Sequence, residues 1–183
     1  CYLFIFTTNY LEITMNDFIN ATSNPALYIL MRNDLASLTT GRAMAQASHA
    51  ANSFEDELRG VMDVLNQNQA KGDLNYGVER TMVTLYKRWK GLSVFDTSRV
   101  GRKNFGTAIV LSADLREIER AKCVCESETE QYHIYHDTII DPRYAIKDGD
   151  SIHKVPVLTC LWLFGDRNDP NLQNLTQHLP IYP

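Results

Sequence analysis

The sequence predicts an α/β fold: a three-layer α/β/α sandwich around a small, mostly four-stranded mixed sheet. Short apolar runs alternate with segments of helical periodicity in the order β-α-α-β-α-β-β, and the last two strands have no helix between them. The chain's 183 residues, 44% hydrophobic and 22% charged, suffice for one full core and are tight for two. No internal repeat or linker-like tract divides residues 15–183, which read as a single domain. The segment CYLFIFTTNYLEIT before Met15 lacks the basic start and small-residue cleavage site of a signal peptide. Residues 1–14 therefore read as an upstream or non-native leader.

Taken in order, Ala26–Met31 is a short apolar run behind Asn24-Pro25 and reads as a buried first strand. Thr39-Thr40-Gly41 supplies N-cap chemistry for a long helix. Its apolar stripe is Ala43, Ala47, Ala50, Phe54, Leu58, Val61 and Leu65, with only alanine in the first turns, so the helix can approach its neighbour closely. The polar stretch 66–75, which contains Gly72, predicts a loop. Val78, Met82, Leu85 and Trp89 predict a second helix that ends at Gly91. Ser93 to Asn104 is basic and irregular, a surface excursion. Phe105–Leu111 reads as a strand, and a helix follows through Leu115, Ile118 and Ala121, with Ser112-x-x-Leu115 in place of a full capping box. Gln131–His136 alternates as a third strand running into Asp137. Pro142 and Asp148-Gly149-Asp150 mark a turn-rich loop. Val155–Phe164 is the last strand; Gly165–Asp169 breaks it, and a short helix forms near Leu172–Leu175.

Composition narrows the chemistry. No apolar run approaches the roughly 20 residues that span a bilayer. Without an export signal, Cys1, Cys123, Cys125 and Cys160 are expected as reduced thiols in a cytoplasm. Cys123-Val124-Cys125 lacks the second ligand pair of a structural zinc site. A net charge of −4 argues against wholesale coating of nucleic acid. It leaves room for local basic clusters at Lys87, Arg88, Lys90 and at Arg99, Arg102, Lys103. A metal site from His133, His136, Asp137 and His153 is disfavoured, because strand alternation sends His133 and His136 to opposite faces. No G-x-S-x-G is present, which removes the commonest serine-hydrolase elbow.

The first helix carries the densest candidate chemistry. Arg42, Gln46, His49 and Ser53 fall at i, i+4, i+7 and i+11, on a face bordering the alanine stripe. A helix that follows the first strand starts near the carboxyl ends of the sheet, where open α/β folds bind ligands. A cation in the first turn gains nothing from the helix dipole, so Arg42 points to an anionic partner. His49 reads equally as a catalytic group and as a hydrogen-bonded core histidine.

Met31-Arg32-Asn33-Asp34-Leu35, followed by GRAMAQASHAA over residues 41–51, resembles the opening of the type II peptidyl-tRNA hydrolases. That family has R-x-D-L at the end of its first strand and G-K-x-A-A-Q-x-x-H-A at the start of its helix. The matches are Gly41, Ala45, Gln46, His49 and Ala50; weaker likeness extends over residues 26–165, through Trp89, the Phe105–Ala121 unit and Asp137. The family's lysine is replaced by Arg42, Thr39-Thr40 stands for the preceding G-K pair, and DTIIDPRY replaces D-x-G-x-T. Asp137 is the nearest match to that aspartate, with Thr138 and Asp141 competing, and Thr159 corresponds to a threonine of the last strand.

The resemblance implies hydrolysis of the ester between peptide and tRNA, with peptidyl-tRNA as the partner and no metal or organic cofactor. It also implies a homodimer. The implied catalytic residues are Arg42, Asp137, Thr159 and His49, and the implied substrate-binding residues are Arg32, Asp34, Gln46, Thr138, Arg102 and Lys103. Asp137 would orient water. Arg42 would bind and stabilise negative charge, since arginine cannot serve as a proton donor. Tyr86 and Trp89 would offer a stacking face for RNA. The departures equally suit a non-catalytic binding protein that has kept the fold.

Overall fold

The computed structural model describes residues 23–71, 77–91, 106–127 and 134–183. The elements are β1 (Pro25–Arg32), α1 (Thr40–Lys71), α2 (Gly77–Trp89), β2 (Ala108–Ala113), α3 (Leu115–Ser127), β3 (Tyr135–Asp148), β4 (Ser151–Asp166) and α4 (Pro170–Thr176). The expected leader, the excursion from Ser93 to Asn104 and the start of the expected third strand lie outside the described residues.

The four strands form one mixed sheet in the order β2-β1-β4-β3. β1 runs parallel to β2 and antiparallel to β4, and β3 and β4 form an antiparallel hairpin. Alternation along the central strands sends side chains to two cores. Leu27, Ile29, Met31, Trp162 and Phe164 pack with Ala43, Ala50, Phe54 and Leu58 of α1 and Met82 and Leu85 of α2. Leu30, Leu161 and Leu163, with Leu111, pack with Ile118, Ala121 and Cys125 of α3 and Leu172 and Leu175 of α4. The protein is therefore of the α/β class, with helices against both faces of the sheet. Residues Ala43 and Ala50 are buried, so the small side chains of α1 do sit against the sheet.

Several elements depart from the sequence expectation. The polar stretch expected as a loop from residue 66 continues α1 to Lys71. α3 is capped by a reciprocal box two residues later than the Ser112-x-x-Leu115 pattern: Asp114 Oδ1 accepts from the Glu117 amide, and Glu117 Oε2 accepts from the Asp114 amide, both at 2.9 Å. β2 occupies Ala108–Ala113, a later start than expected, and Phe105 lies outside the described residues.

The largest difference is β3. Pro142 does not break it but is absorbed in an irregularity of an outer strand, one of the few places a sheet tolerates proline. Only the two-residue connection Gly149-Asp150 remains of the expected loop. Gly149 takes a φ of 56°, the positive value for which tight hairpin turns require glycine. Gly91, at φ 64°, closes α2 as expected. Asp169 caps α4 by accepting from the Asn171 amide, with Pro170 in the first turn.

Tyr86 and Trp89 are not a free stacking face. They join Phe54, whose ring lies 5.5 Å from Trp89 and 4.7 Å from Phe164, in one aromatic cluster. Trp89 Nε1 donates to the Thr107 carbonyl at 2.7 Å, and the indole lies directly against Gly106. Lys90 is ion-paired with Glu55 at 2.6 Å and lies over the Trp89 ring, so this cation is already engaged.

Candidate functional site

Two opposed irregularities in the β3–β4 ladder place the site. Ile139 pairs with Cys160 and Ile140 with Leu158, which leaves Thr159 as the extra residue in β4. Asp141 then pairs with Val157 and Tyr144 with Val155, so Pro142 and Arg143 together face Pro156. A bulge puts consecutive side chains on one face where alternation would separate them. Thr159 and Cys160 accordingly both reach Gln46 of α1: the hydroxyl donates to its side-chain amide oxygen, and Cys160 Sγ lies 3.8 Å from its main-chain carbonyl oxygen. Burial pushes the Cys160 thiol up to about 12, which makes it a packing group. On β3 the same device keeps Asp141 and Tyr144 on the α1 side despite their spacing of three.

The cluster that results is a chain of hydrogen bonds running from the core outward. Thr159 is 0% exposed and Gln46 5%. Thr159 Oγ1 lies 2.9 Å from Gln46 Oε1 and 3.1 Å from the Ile139 carbonyl, and its single proton serves one acceptor at a time. Gln46 Nε2 donates to Asp141 Oδ2 at 3.2 Å. The carboxylate fixes which way the amide points, because only nitrogen can donate to it. Asp141 Oδ1 accepts from the Arg143 amide at 2.9 Å, an Asx-type bond that holds the bulge in shape. Asp141 is half-buried and forms the outer end of the chain.

Two arginines border it. Arg42 lies in the first turn of α1, as expected, with its side chain exposed. One of its nitrogens donates to the Ser37 carbonyl at 3.1 Å, and the guanidinium lies 5.8 Å from the centre of the Tyr144 ring. Tyr144 is buried, and its hydroxyl accepts from Ser37 Oγ at 2.9 Å. Arg32, at the carboxyl end of β1, grips Asp34 through two nitrogens at 2.5 and 2.8 Å and donates to the Leu158 carbonyl at 3.1 Å. Its hydrogen bonds and charge hold the Asp34 carboxyl below the usual carboxylate range. This fork braces β1 against β4 next to Thr159.

The remaining expected residues lie elsewhere. Along α1 Gln46 is buried and Ser53, seven residues on, is half-buried, while Arg42 and His49 form a second, exposed line. His49 is thus neither a core histidine nor part of the polar chain. Asp137 pairs with Trp162, near the start of β3 and not at its end. Its Oδ2 accepts from Ser53 Oγ at 3.4 Å, and Ser53 in turn accepts from the buried Trp162 indole at 3.3 Å. Ser53 lies about 10 Å along the helix from Gln46, so Asp137 serves the indole and Asp141 serves the cluster.

Thr138 pairs with Leu161 and so faces the opposite core. Arg102 and Lys103 lie outside the described residues. Among the described residues no three His, Cys, Asp or Glu side chains gather into a metal-binding group, and every buried side-chain nitrogen and oxygen has a hydrogen-bond partner. Sequence reasoning did not find Ser37 and Tyr144. Prolines facing each other at Pro142 and Pro156 are the only signal of the bulge that places Tyr144 there.

Fold and site together define an α/β protein with a buried polar chain that surfaces at Asp141, and with an exposed arginine one turn before Gln46 at the start of the first helix. No protein-family model matches the chain, and no curated protein matches it. Among the described residues no helix is long and apolar enough to cross a membrane.

Proposed function

We propose that the chain hydrolyses the ester joining a peptide to the 3′-terminal ribose of tRNA. The observation that carries the reading is the half-buried Asp141 carboxylate, held by Gln46 and the Arg143 amide, with the exposed Arg42 one helical turn before Gln46 on α1. Ester hydrolysis needs a group to orient water and take its proton, and a cation or donor for the charge that develops on the carbonyl oxygen.

Asp141 takes the first role, in place of Asp137. Water attacks the carbonyl carbon as its proton moves toward the carboxylate. The bond from carbon to ribose oxygen breaks, and that proton passes on to the departing hydroxyl. Arg42, which keeps unused donors beyond Ser37, holds the carbonyl oxygen or the adjoining phosphate. Thr159, Gln46, Arg32 and Asp34 act through Asp141 or the strand ends and are positioning residues. The reading puts the protein where translation occurs, in the cytoplasm.

The test is release of peptide from purified peptidyl-tRNA. Asp141→Asn, which keeps the hydrogen-bonding shape, should lower the rate 100-fold or more, since positioned acid–base groups contribute roughly 10²–10⁴-fold. Arg42→Ala should be strongly impaired and Arg42→Lys largely active. Full activity in Asp141→Asn sinks the assignment. A second reading, a binding protein without catalysis, is favoured by the complete burial of Thr159, which presents no hydroxyl to a substrate. Retention of tRNA with no release of peptide decides for it.

A further inference from the structure

Beyond the bulge at Pro142–Arg143, β3 and β4 continue as a two-stranded arm from Tyr144–Val155 to the Gly149-Asp150 turn. Past Tyr144 the arm is almost wholly exposed, and its Ile152 shows 68% of its surface. A ribbon this long contributes little to either core, so its side-chain pattern asks for another explanation.

That pattern is segregated by face. Direct cross-strand partners share a face, so the pairs Ala145–Lys154 and Lys147–Ile152 put Ala145, Lys147, Ile152 and Lys154 together. The opposite face holds Ile146, His153, Asp148 and Ser151. The lysine face carries no acid, and among the described residues neither lysine is in an ion pair. Two unpaired ammonium groups, diagonal neighbours on a ribbon with apolar side chains between them, match a polyanion. The arm also grows from the strand that bears Asp141, and six residues of strand set Lys147 about 20 Å beyond that carboxylate.

We propose that the Lys147–Lys154 face of the arm grips the phosphate backbone of the tRNA acceptor stem, while the single-stranded 3′ end reaches Asp141 and Arg42. The choice of RNA rests on the peptidyl-tRNA reading above; the arm and its charge pattern do not. Net acidity of the whole chain is no obstacle, because the contact is local and the acids at the tip sit in the turn and on the other face.

The experiment compares wild type with a Lys147→Ala/Lys154→Ala double variant in two measurements. The first is fluorescence anisotropy with deacylated tRNA at several salt concentrations. The second is hydrolysis of full peptidyl-tRNA against an N-acyl-aminoacyl ester of the CCA trinucleotide. Losing two phosphate contacts should cut the slope of log affinity against log salt by about 1.4–1.8 and weaken binding roughly tenfold at moderate salt. KM for full peptidyl-tRNA should rise, with kcat/KM for the trinucleotide ester unchanged.

An unchanged slope and affinity overturns the arm while leaving hydrolysis standing. A flattened slope in a protein that cleaves neither substrate supports the arm and removes the hydrolase reading. If sedimentation shows a wild-type dimer that the double variant dissociates, with tRNA affinity untouched, the face binds a second copy of the chain and the RNA proposal fails.

Discussion

Thr159→Val gives the most direct test of the buried polar chain. The substitution keeps side-chain shape and removes one hydroxyl, so no cavity forms. Gln46 Oε1, inside a side chain only 5% exposed, then loses its donor at 2.9 Å, and the Ile139 carbonyl loses its alternative at 3.1 Å. An acceptor stranded in this way costs about 1–3 kcal/mol, more than the net value of an ordinary hydrogen bond, because the desolvation is no longer offset. For a chain of this size that is a fall in Tm of about 2–4 °C per kcal/mol. The urea midpoint should drop with an unchanged slope.

The decisive measurement is the cycle with Gln46→Met. On that background the Gln46 Oε1 acceptor is gone and only the Ile139 carbonyl loses a donor, so adding Thr159→Val should cost less, and the double variant should be more stable than the two single losses predict by about 1 kcal/mol or more. Additivity within about 0.5 kcal/mol would refute the coupling and, with it, the idea that Thr159 is there to hold Gln46 and Asp141.

Two further predictions concern the frame around the site. Gly106→Ala drives a methyl group into the Trp89 indole, which is fixed by its bond to Thr107 and by the Phe54 cluster; a loss of roughly 1–3 kcal/mol is expected from overpacking, read by thermal unfolding and a changed tryptophan emission. A variant as stable as wild type would show that the indole moves freely. Burial holds the His136 imidazole below its ordinary value, against the pull of Glu126 and Asp137. The unfolded chain therefore binds this proton first as pH falls. Stability due to neutral His136 is present above about pH 6.5 and is lost as pH drops toward the lower folded value. His136→Gln should flatten that part of the pH–stability curve, and an unaltered curve would assign the slope to another group.

How much was legible in the sequence follows from where periodicity holds. β1 and the first turns of α1 were readable because apolar runs and alanines recur at the spacing of their elements. The pairing of Arg32 with Asp34 and the reach of Gln46 into the sheet rest on those elements. The β3–β4 hairpin was not readable. A period of two places Thr159 and Cys160 on opposite faces and treats Pro142 as a stop. The bulges break that period at the very residues that complete the site. Asp137 was attractive because it follows an alternating run, yet its register opposite Trp162 ties it to Ser53. Register is a property of two strands, and one strand's sequence does not contain it. The exposure of His49 has the same origin, since only the partner strands decide which border of a helix is covered.

The two outer strands of the sheet meet solvent on different terms. β2 is covered: the Ser112 amide donates to the Pro180 carbonyl, the Tyr182 amide donates to the Val110 carbonyl, and Leu111 bridges to Ile181. Among the described strands this leaves β3, and the stretch of β4 before Cys160 that β1 does not reach, as borders where a foreign strand could add its hydrogen bonds. Pro142 on β3 and Pro156 on β4, which have no amide hydrogen to offer, interrupt these borders. Growth of the sheet by stacking chain upon chain is therefore sealed along β2 and interrupted by proline along the open borders of β3 and β4. A long exposed ribbon can then stand out from this fold without seeding aggregation.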